Sequence, residues 1–345
     1  MARIFFVLPE VDEPIGGNHV TMSFAAILKD EGLDVAILYS SKDYYYPFFE
    51  NHSIPTVFVP NHSKVSLRQR TRKLVQRPKL TSFVATRKGK NSQVSIGQDD
   101  VVIFPEFNYK HERRRIPNGR HVLLCQGFGP LFSGAIDLGP ERETAYGRLT
   151  ATIAISEICA EAVRIYTGTD PSIVPISLDS RRYRYHEDKQ KKIVFMPRRR
   201  RQELTGIVSL LASEPALKNY EFVALDRVSA STVDQVLSES LIFLSGSQQD
   251  GFGLPPAEAM AMGCLAIGYA GVGGEEFFTE TVGFPVPEDN TVAFYRTIID
   301  VVEQYETDPS SLNRKRKLAS ETILSRYTKE ETTKQLLKFC HTLDL

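Results

Sequence analysis

Two doubly wound α/β domains are what this sequence predicts, and three observations predict them. Short apolar, β-branched or aromatic runs alternate with longer helix-patterned windows, the signature of βαβ units and parallel sheets. The alternation breaks at the polar stretch SLDSRRYRYHEDKQKK and restarts after it. The length, 345 residues, suits two domains at roughly 150 residues each.

Before the break, the spacing predicts strands at 3–9 (RIFFVLP), 34–39, 55–60, 100–105, 121–126, 151–156 and 172–177. Helices are expected at 18–31, after Gly16 and Gly17, and at 157–167, where Ser156 can serve as N-cap with Glu157 and Glu161 in the first turns. After the break, strands are expected at 192–197, 221–226, 241–245, 265–269 and 283–287, with helical windows at 203–214, 230–239, 255–262 and 290–305. Residues 308–343 read as two further helices. The expected organisation is an N-terminal domain over 1–178, a C-terminal domain over 179–325, and a terminal helix in 326–345 that packs back on the first domain. Ligands of such a pair are expected in a cleft, at the C-terminal ends of the strands.

Composition excludes several classes. Hydrophobic residues make up 42% and charged residues 24% of the chain, ordinary for a soluble globular protein. The first apolar run, Ile4 to Leu8, is too short for a signal peptide or a membrane span, so a cytoplasmic protein is expected. Cys125, Cys159, Cys264 and Cys340 are widely spaced and suit buried thiols in a reducing compartment. Cysteines and histidines alike lack metal-ligand spacing, so no metal is expected. Net charge is zero, yet ten Lys or Arg and no acidic residue fall between Asn61 and Gln98, leaving the rest of the chain at −10. That island reads either as a solvated loop or as an anion-seeking surface. In the second reading residues 64–90 meet an anionic membrane at the inner surface, or an anionic acceptor. Aromatics are scarce in it, so nucleic acid is not the expected partner.

The densest chemistry lies in DGFGLPPAE, residues 250–258, between the strand LIFLS and the helix PAEAMAMG. A strand end, glycines and a helix N-terminus predict an anion site built from free amides and the helix dipole, with Pro255 or Pro256 in the first turn. Glu258, one turn in, would repel a phosphate and is better suited to accept hydrogen bonds from hydroxyls such as a ribose diol. Asp250 could take hydroxyls of a second ring. The plainer alternative is a capped helix and a turn.

The stretch DGFGLPPAEAMAMGCLAIGYAGVGGEEFF resembles the nucleotide-binding signature of the retaining, GT-B-fold glycosyltransferases of family 4, also called group 1. The resemblance implies a GT-B architecture of two Rossmann-like domains facing a cleft, the first on the acceptor side and the second binding a nucleotide sugar. It implies that Glu258 holds the ribose of the donor and that Asp250, where the family has Glu, contacts the transferred sugar. Phe252, Gly253 and Leu254 complete the donor-binding stretch. Gly273 and Gly274 match glycines whose backbone approaches the donor, and Glu276, or else Glu275, matches the acidic residue after them. Upstream, KIVFMPRRRR resembles the strand whose end carries a basic pair for the diphosphate: Arg198 fits the Arg position, and Arg199 or Arg200 replaces the usual Lys, whose place holds Gln202 and Glu203. In the first half, Gly16 and Gly17 match a glycine-rich loop beneath acceptor and diphosphate. Gln126 stands where many relatives have a His that contacts the donor sugar; His121 reads as structural. The match is close over 150–290 and holds only in outline before that.

The implied reaction is sugar transfer from a nucleoside diphosphate sugar to a hydroxyl acceptor, such as a glycan or lipid-linked sugar. Retention is implied, with no metal and no cofactor, and with Arg198, Arg199, Asp250 and Glu258 carrying catalysis. Two alternatives stand beside it. One is a non-catalytic nucleotide-sugar-binding protein, suggested by Asp250, Gln126 and the missing Lys. The other is an epimerase or hydrolase on the same fold, which would need more than Glu106 and His111 near a strand end.

Overall fold

A computed structural model describes residues 2–49, 53–60, 91–107, 109–139 and 146–345 of the chain. The basic segment 64–90, with the membrane contact expected of it, lies outside the described residues.

The first sheet is parallel in every register given and has eight strands: β1 (Ile4–Val7), β2 (Val35–Tyr39), β3 (Thr56–Phe58), β4 (Ser92–Gln93), β5 (Val101–Pro105), β6 (Arg120–Cys125), β7 (Leu149–Ala154) and β8 (Ser172–Ile173), in the order β4-β3-β2-β1-β5-β6-β7-β8. β1, β2 and β5 are buried throughout, as apolar runs such as IFFV and VAILY require of strands covered on both faces. The second sheet holds β9 (Gln190–Phe195), β10 (Glu221–Ala224), β11 (Ser240–Gly246), β12 (Leu265–Tyr269) and β13 (Phe284–Pro285), also all parallel, in the order β10-β9-β11-β12-β13. Its core sets Ile193, Ile242, Leu244 and Ile267 of the strands against Leu204, Ile207, Phe294 and Ile298 of the flanking helices. Both sheets are doubly wound, so each has one place where the strand order reverses: between β1 and β5 in the first, between β9 and β11 in the second.

The chain divides into two compact units. One comprises Met1–Leu124, Gly134–Thr152 and Cys340–Leu345; the other comprises Cys125–Ser133 and Ile153–Phe339. The sheets themselves change over between Ile173 and Gln190, through the polar stretch. The last two helices are Ser310–Arg326 and Lys329–Thr342. The final residues cluster with the first unit, where Arg120 Nη1 donates to the Leu343 carbonyl at 2.7 Å.

Expected helices form at Glu157–Thr167 and Ala230–Glu239, and the first of them is capped by Ser156 Oγ, which accepts from the Cys159 amide. The helix expected at 18–31 runs from Gly16 to Asp30, taking both glycines into its first turn. Tyr109–Arg115 and Phe128–Leu138 are helices that the hydrophobic pattern does not announce. Among the described residues no helix is long and apolar enough to cross a membrane.

Candidate functional site

The reversal point of the second sheet gathers the charged residues that the sequence singles out. Three loops leave the C-terminal ends of its central strands. The loop after β9 carries Arg198, Arg199 and Arg200; the loop after β11 carries Asp250; the loop after β12 carries Gly273 and Gly274. Arg199 Nη2 meets Asp250 Oδ1 at 3.2 Å, with the Arg199 side chain 50% and the Asp250 side chain 22% exposed. The Gly273 amide donates to the Asp250 carbonyl at 3.0 Å, and an isolated parallel bridge pairs Asp250 with Val272. Residues 199, 250 and 273 are thus pinned at one sheet edge, although they are far apart in sequence. Arg198 is exposed and makes no ion pair among the described residues, so its charge is available to a ligand.

Two glycines make this packing possible. A Cβ at Gly273 would lie 2.6 Å from the Asp250 carbonyl oxygen and run into the Gly251 backbone. One at Gly251 would collide with the Gln126 carbonyl and come within 2.8 Å of Cys159 Sγ. Ser156 Oγ donates to the Gly251 carbonyl at 2.6 Å while also capping its own helix, so the DGFG loop is held by backbone contacts on several sides. Gln126 therefore enters the site's surroundings through its main chain.

The helix Leu254–Ala261 starts from Gly253, whose φ of 93° only glycine adopts cheaply. Its first turn corrects the expectation of an anion site built from free amides. Both Pro255 and Pro256 fall inside that turn and have no N–H, and the Ala257 amide is spent on the Gly253 carbonyl. Of the helix's first three residues Leu254 alone keeps an amide, so the expected cradle of free amides is not built there. Phe252 is 3% exposed and packs its ring against Phe277 at 5.0 Å and Tyr327 at 4.8 Å, so it builds the loop's floor.

Glu258 is half-buried, and its Oε1 accepts a hydrogen bond from the Tyr183 hydroxyl at 2.7 Å. Beside Tyr183, Arg182 makes a two-pronged ion pair with Asp234, at 2.7 Å and 2.8 Å. Burial pushes the Glu258 carboxyl above the ordinary carboxylate range, while the Tyr183 hydroxyl and the Arg182 charge pull it partly back. Nothing local in the sequence joins Tyr183, Arg182 and Asp234 to Glu258.

Two other candidates are engaged elsewhere. Arg200, in the left-handed conformation at φ 47°, pairs with Glu203, Glu288 and Asp289, and its guanidinium lies 4.3 Å from the Tyr269 ring centroid. Glu203 also accepts from the Tyr269 hydroxyl and from Thr291. Of the two arginines weighed for the missing Lys, Arg199 is the one left facing Asp250. Glu276 Oε1 accepts from the Glu157 amide at 2.8 Å, at the start of the helix Glu157–Thr167, and its Oε2 pairs with Arg326 at 3.3 Å. Glu275 beside it is exposed.

In the first unit, Gly16 and Gly17 open the helix that follows β1. Glu106 is buried just past β5, and His111 is exposed on a short helix. His121 is buried at 4.8 Å from the Phe104 ring, 3.4 Å from the Tyr109 hydroxyl, and burial holds its pKa below the usual value. That is a structural histidine, as the sequence suggests.

Comparison with known proteins finds likenesses of sequence and of fold. Residues 210–318 match the family model described as glycosyl transferases group 1, a span that includes Asp250, Glu258, Gly273 and Gly274. An alpha-1,6-glucosyltransferase of Actinobacillus pleuropneumoniae serotype 7 (strain AP76) is 29% identical over 87 residues, covering 24% of this chain and about a quarter (26%) of that protein. The solved structure of Anabaena HepE in complex with UDP-glucose superposes with a TM-score of 0.69 at 14% identity, over 99% of this chain and 100% of that one. Sucrose-phosphate synthase from Thermosynechococcus elongatus gives 0.66 at 13% identity, over 100% and 99%. The fold is therefore GT-B-like, two parallel-sheet α/β domains, and residues 210–318 are similar to the group 1 glycosyl transferases.

Proposed function

We propose that this protein transfers a sugar from a nucleoside diphosphate sugar to a hydroxyl acceptor, with retention at the anomeric carbon, and that its donor site is the reversal point of the second sheet. The observation that carries the reading is the meeting of Arg199, Asp250 and the Gly273 turn where β9, β11 and β12 end, with Asp250, Gly273 and Glu258, one turn into the helix that follows Asp250, inside the matched glycosyltransferase segment. Open α/β sheets bind ligands at that place.

In this reading Glu258 accepts the ribose hydroxyls and Asp250 those of the transferred sugar. Arg198 and Arg199 face the diphosphate, where the guanidinium fork suits two phosphate oxygens at once. The acceptor oxygen bonds to the anomeric carbon on the face from which the diphosphate departs. The carbon–oxygen bond to the diphosphate breaks, its electron pair stays on the phosphate oxygen, and that oxygen takes the acceptor's proton. Positioning and charge stabilisation of the leaving group supply the rate, so no protein nucleophile is required. The two arginines are the groups that would do the work without a divalent ion. The acceptor, a glycan or lipid-linked sugar, docks on the first unit, beside the glycine-opened helix after β1.

Incubation with UDP-, GDP- and ADP-sugars and a panel of hydroxyl acceptors tests the reading, the product anomer being read by NMR and the rate compared with and without chelator. A product of retained configuration at an unchanged rate in chelator is expected. Binding of a nucleotide sugar without any turnover would instead select a non-catalytic binding protein.

A further inference from the structure

Glu258 has one oxygen held and one open. Oε1 accepts from Tyr183, whereas Oε2 accepts no hydrogen bond among the described residues. Tyr183 is almost wholly buried, and its orientation is fixed from more than one side. Its amide donates to the Asp179 carbonyl at 2.8 Å, the Arg182 guanidinium lies 4.8 Å from its ring centroid, and Asp234, on the helix Ala230–Glu239, clamps that guanidinium with two bonds. A phenylalanine would fill the same space. What the hydroxyl adds beyond the ring is the hydrogen bond to the carboxylate.

We infer that Tyr183 is a positioning residue: it holds Glu258 by Oε1 so that Oε2 is presented to ligand hydroxyls, and this restraint gives the site its selectivity for a nucleoside diphosphate with an intact ribose diol. The inference rests on the donor reading of Glu258. The groups facing that carboxylate are Tyr183 and Arg182 from the polar stretch before β9 and Asp234 from the neighbouring helix. Burial favours the neutral carboxyl, and the Tyr183 hydroxyl and Arg182 charge oppose that, whereas Asp234 adds repulsion. Without the phenol hydroxyl the carboxyl holds its proton to higher pH, and a protonated carboxyl is a poorer acceptor for the diol.

Calorimetric titration tests this, using whichever of UDP, GDP and ADP binds wild type most tightly, and its 2′,3′-dideoxy form, from pH 5 to 8. Wild type is expected to prefer the ribose form by about tenfold or more at pH 7.5, two lost hydrogen bonds being worth at least that. Tyr183→Phe should weaken the ribose form alone, shrinking the preference to about threefold or less. What preference remains should disappear at a higher pH than in wild type as the solution is acidified. Arg182→Lys should act in the same direction, less strongly. A Tyr183→Phe protein with undiminished preference overturns the inference, and so does one that weakens both forms equally, since packing alone would explain it. If Tyr183→Phe does not fold, an unchanged preference in Arg182→Lys overturns it. A wild type that binds both forms equally removes the ribose role of Glu258 itself, a different failure.

Discussion

Both sheets are doubly wound, yet they place their best-defined charges at opposite ends of the reversal point. In the first unit, Arg3 and Asp100 precede β1 and β5, at the N-terminal edge of the reversal point. Asp100 accepts from Arg3 Nη2 at 2.6 Å, Arg3 Nε at 3.1 Å and the Gly97 amide at 2.7 Å, with its side chain 8% exposed. In the second unit, Arg198, Arg199 and Asp250 follow β9 and β11, at the C-terminal edge. The N-terminal cluster is saturated and fastens two strands together. Among the described residues the C-terminal one leaves Arg198 without an ion pair and Glu258 Oε2 without a hydrogen bond, the state that the proposed donor site requires. In the proposed reading, the difference separates charge that stabilises the fold from charge held ready for a ligand.

Substitution at the C-terminal edge breaks this contrast most strongly. Arg198→Ala and Glu258→Ala should each lose more than about 2 kcal/mol of transition-state stabilisation, roughly thirtyfold or more in kcat/KM, with the fold intact by circular dichroism. Normal turnover in either would mean that these charges are surface decoration.

The next effect is on stability. Gly273→Ala forces a Cβ into the Gly251 backbone and should cost about 1–3 kcal/mol in urea unfolding. Gly16→Ala, in the first turn of a helix, should be neutral or gain up to about 1 kcal/mol. Equal effects at the two glycines would show that the second unit's loops are not tightly packed.

Opposite pH responses sharpen the comparison further. Burial works against Asp100, but Arg3 and the Gly97 and Arg3 amides bring its pKa below the ordinary value. Its stabilisation is therefore present above the unfolded value, about 3.9, and lost as pH falls through the lower folded one. Asp100→Asn should cost about 1–3 kcal/mol at pH 7 and progressively less as pH falls below the ordinary carboxylate value. Glu258 has the reverse sign. A carboxyl raised by burial subtracts stability above its folded pKa and regains it as pH falls. Glu258→Gln should melt no lower than wild type at pH 7 while losing activity. A large fall in Tm would place Glu258 with the staples.

The smallest effect on stability belongs to Arg199→Ala. An ion pair half open to solvent is worth about 0.2–1 kcal/mol, so Tm should barely move while nucleotide-sugar affinity falls.

Most of the fold was legible because central strands such as β1, β2, β5 and β12 are unbroken apolar runs, buried throughout; β12 forms at the residues expected, 265–269. What escaped had no apolar period to read. The helix Tyr109–Arg115 is nearly all charged, Phe128–Leu138 contains two glycines and a proline, and β4 is two exposed polar residues at a sheet edge. Within the site, Asp250, Glu258 and the glycines after β12 were legible because short spacings in one strand–loop–helix unit constrain them together. Tyr183 and Asp234 were not, since they reach Glu258 across 75 and 24 positions, and only the packed helix brings them together. Glu276 shows the converse. Its position fits the motif, yet the amide of Glu157, 119 residues earlier, claims its carboxylate. The two prolines that strip the helix start of amides stand in the sequence itself, and their consequence becomes plain once both are seen in the first turn.

The central claim is that the C-terminal edge of the second sheet binds the nucleotide of a sugar donor. Thermal unfolding of wild type and Glu258→Ala with UDP, GDP, ADP and dTDP, each added at increasing concentration, tests it most directly. One nucleotide should stabilise wild type, by about 2.7 kcal/mol at a hundred times its Kd, and that gain should largely vanish in Glu258→Ala. Equal stabilisation of both proteins, or none of wild type by any nucleotide, would contradict the claim.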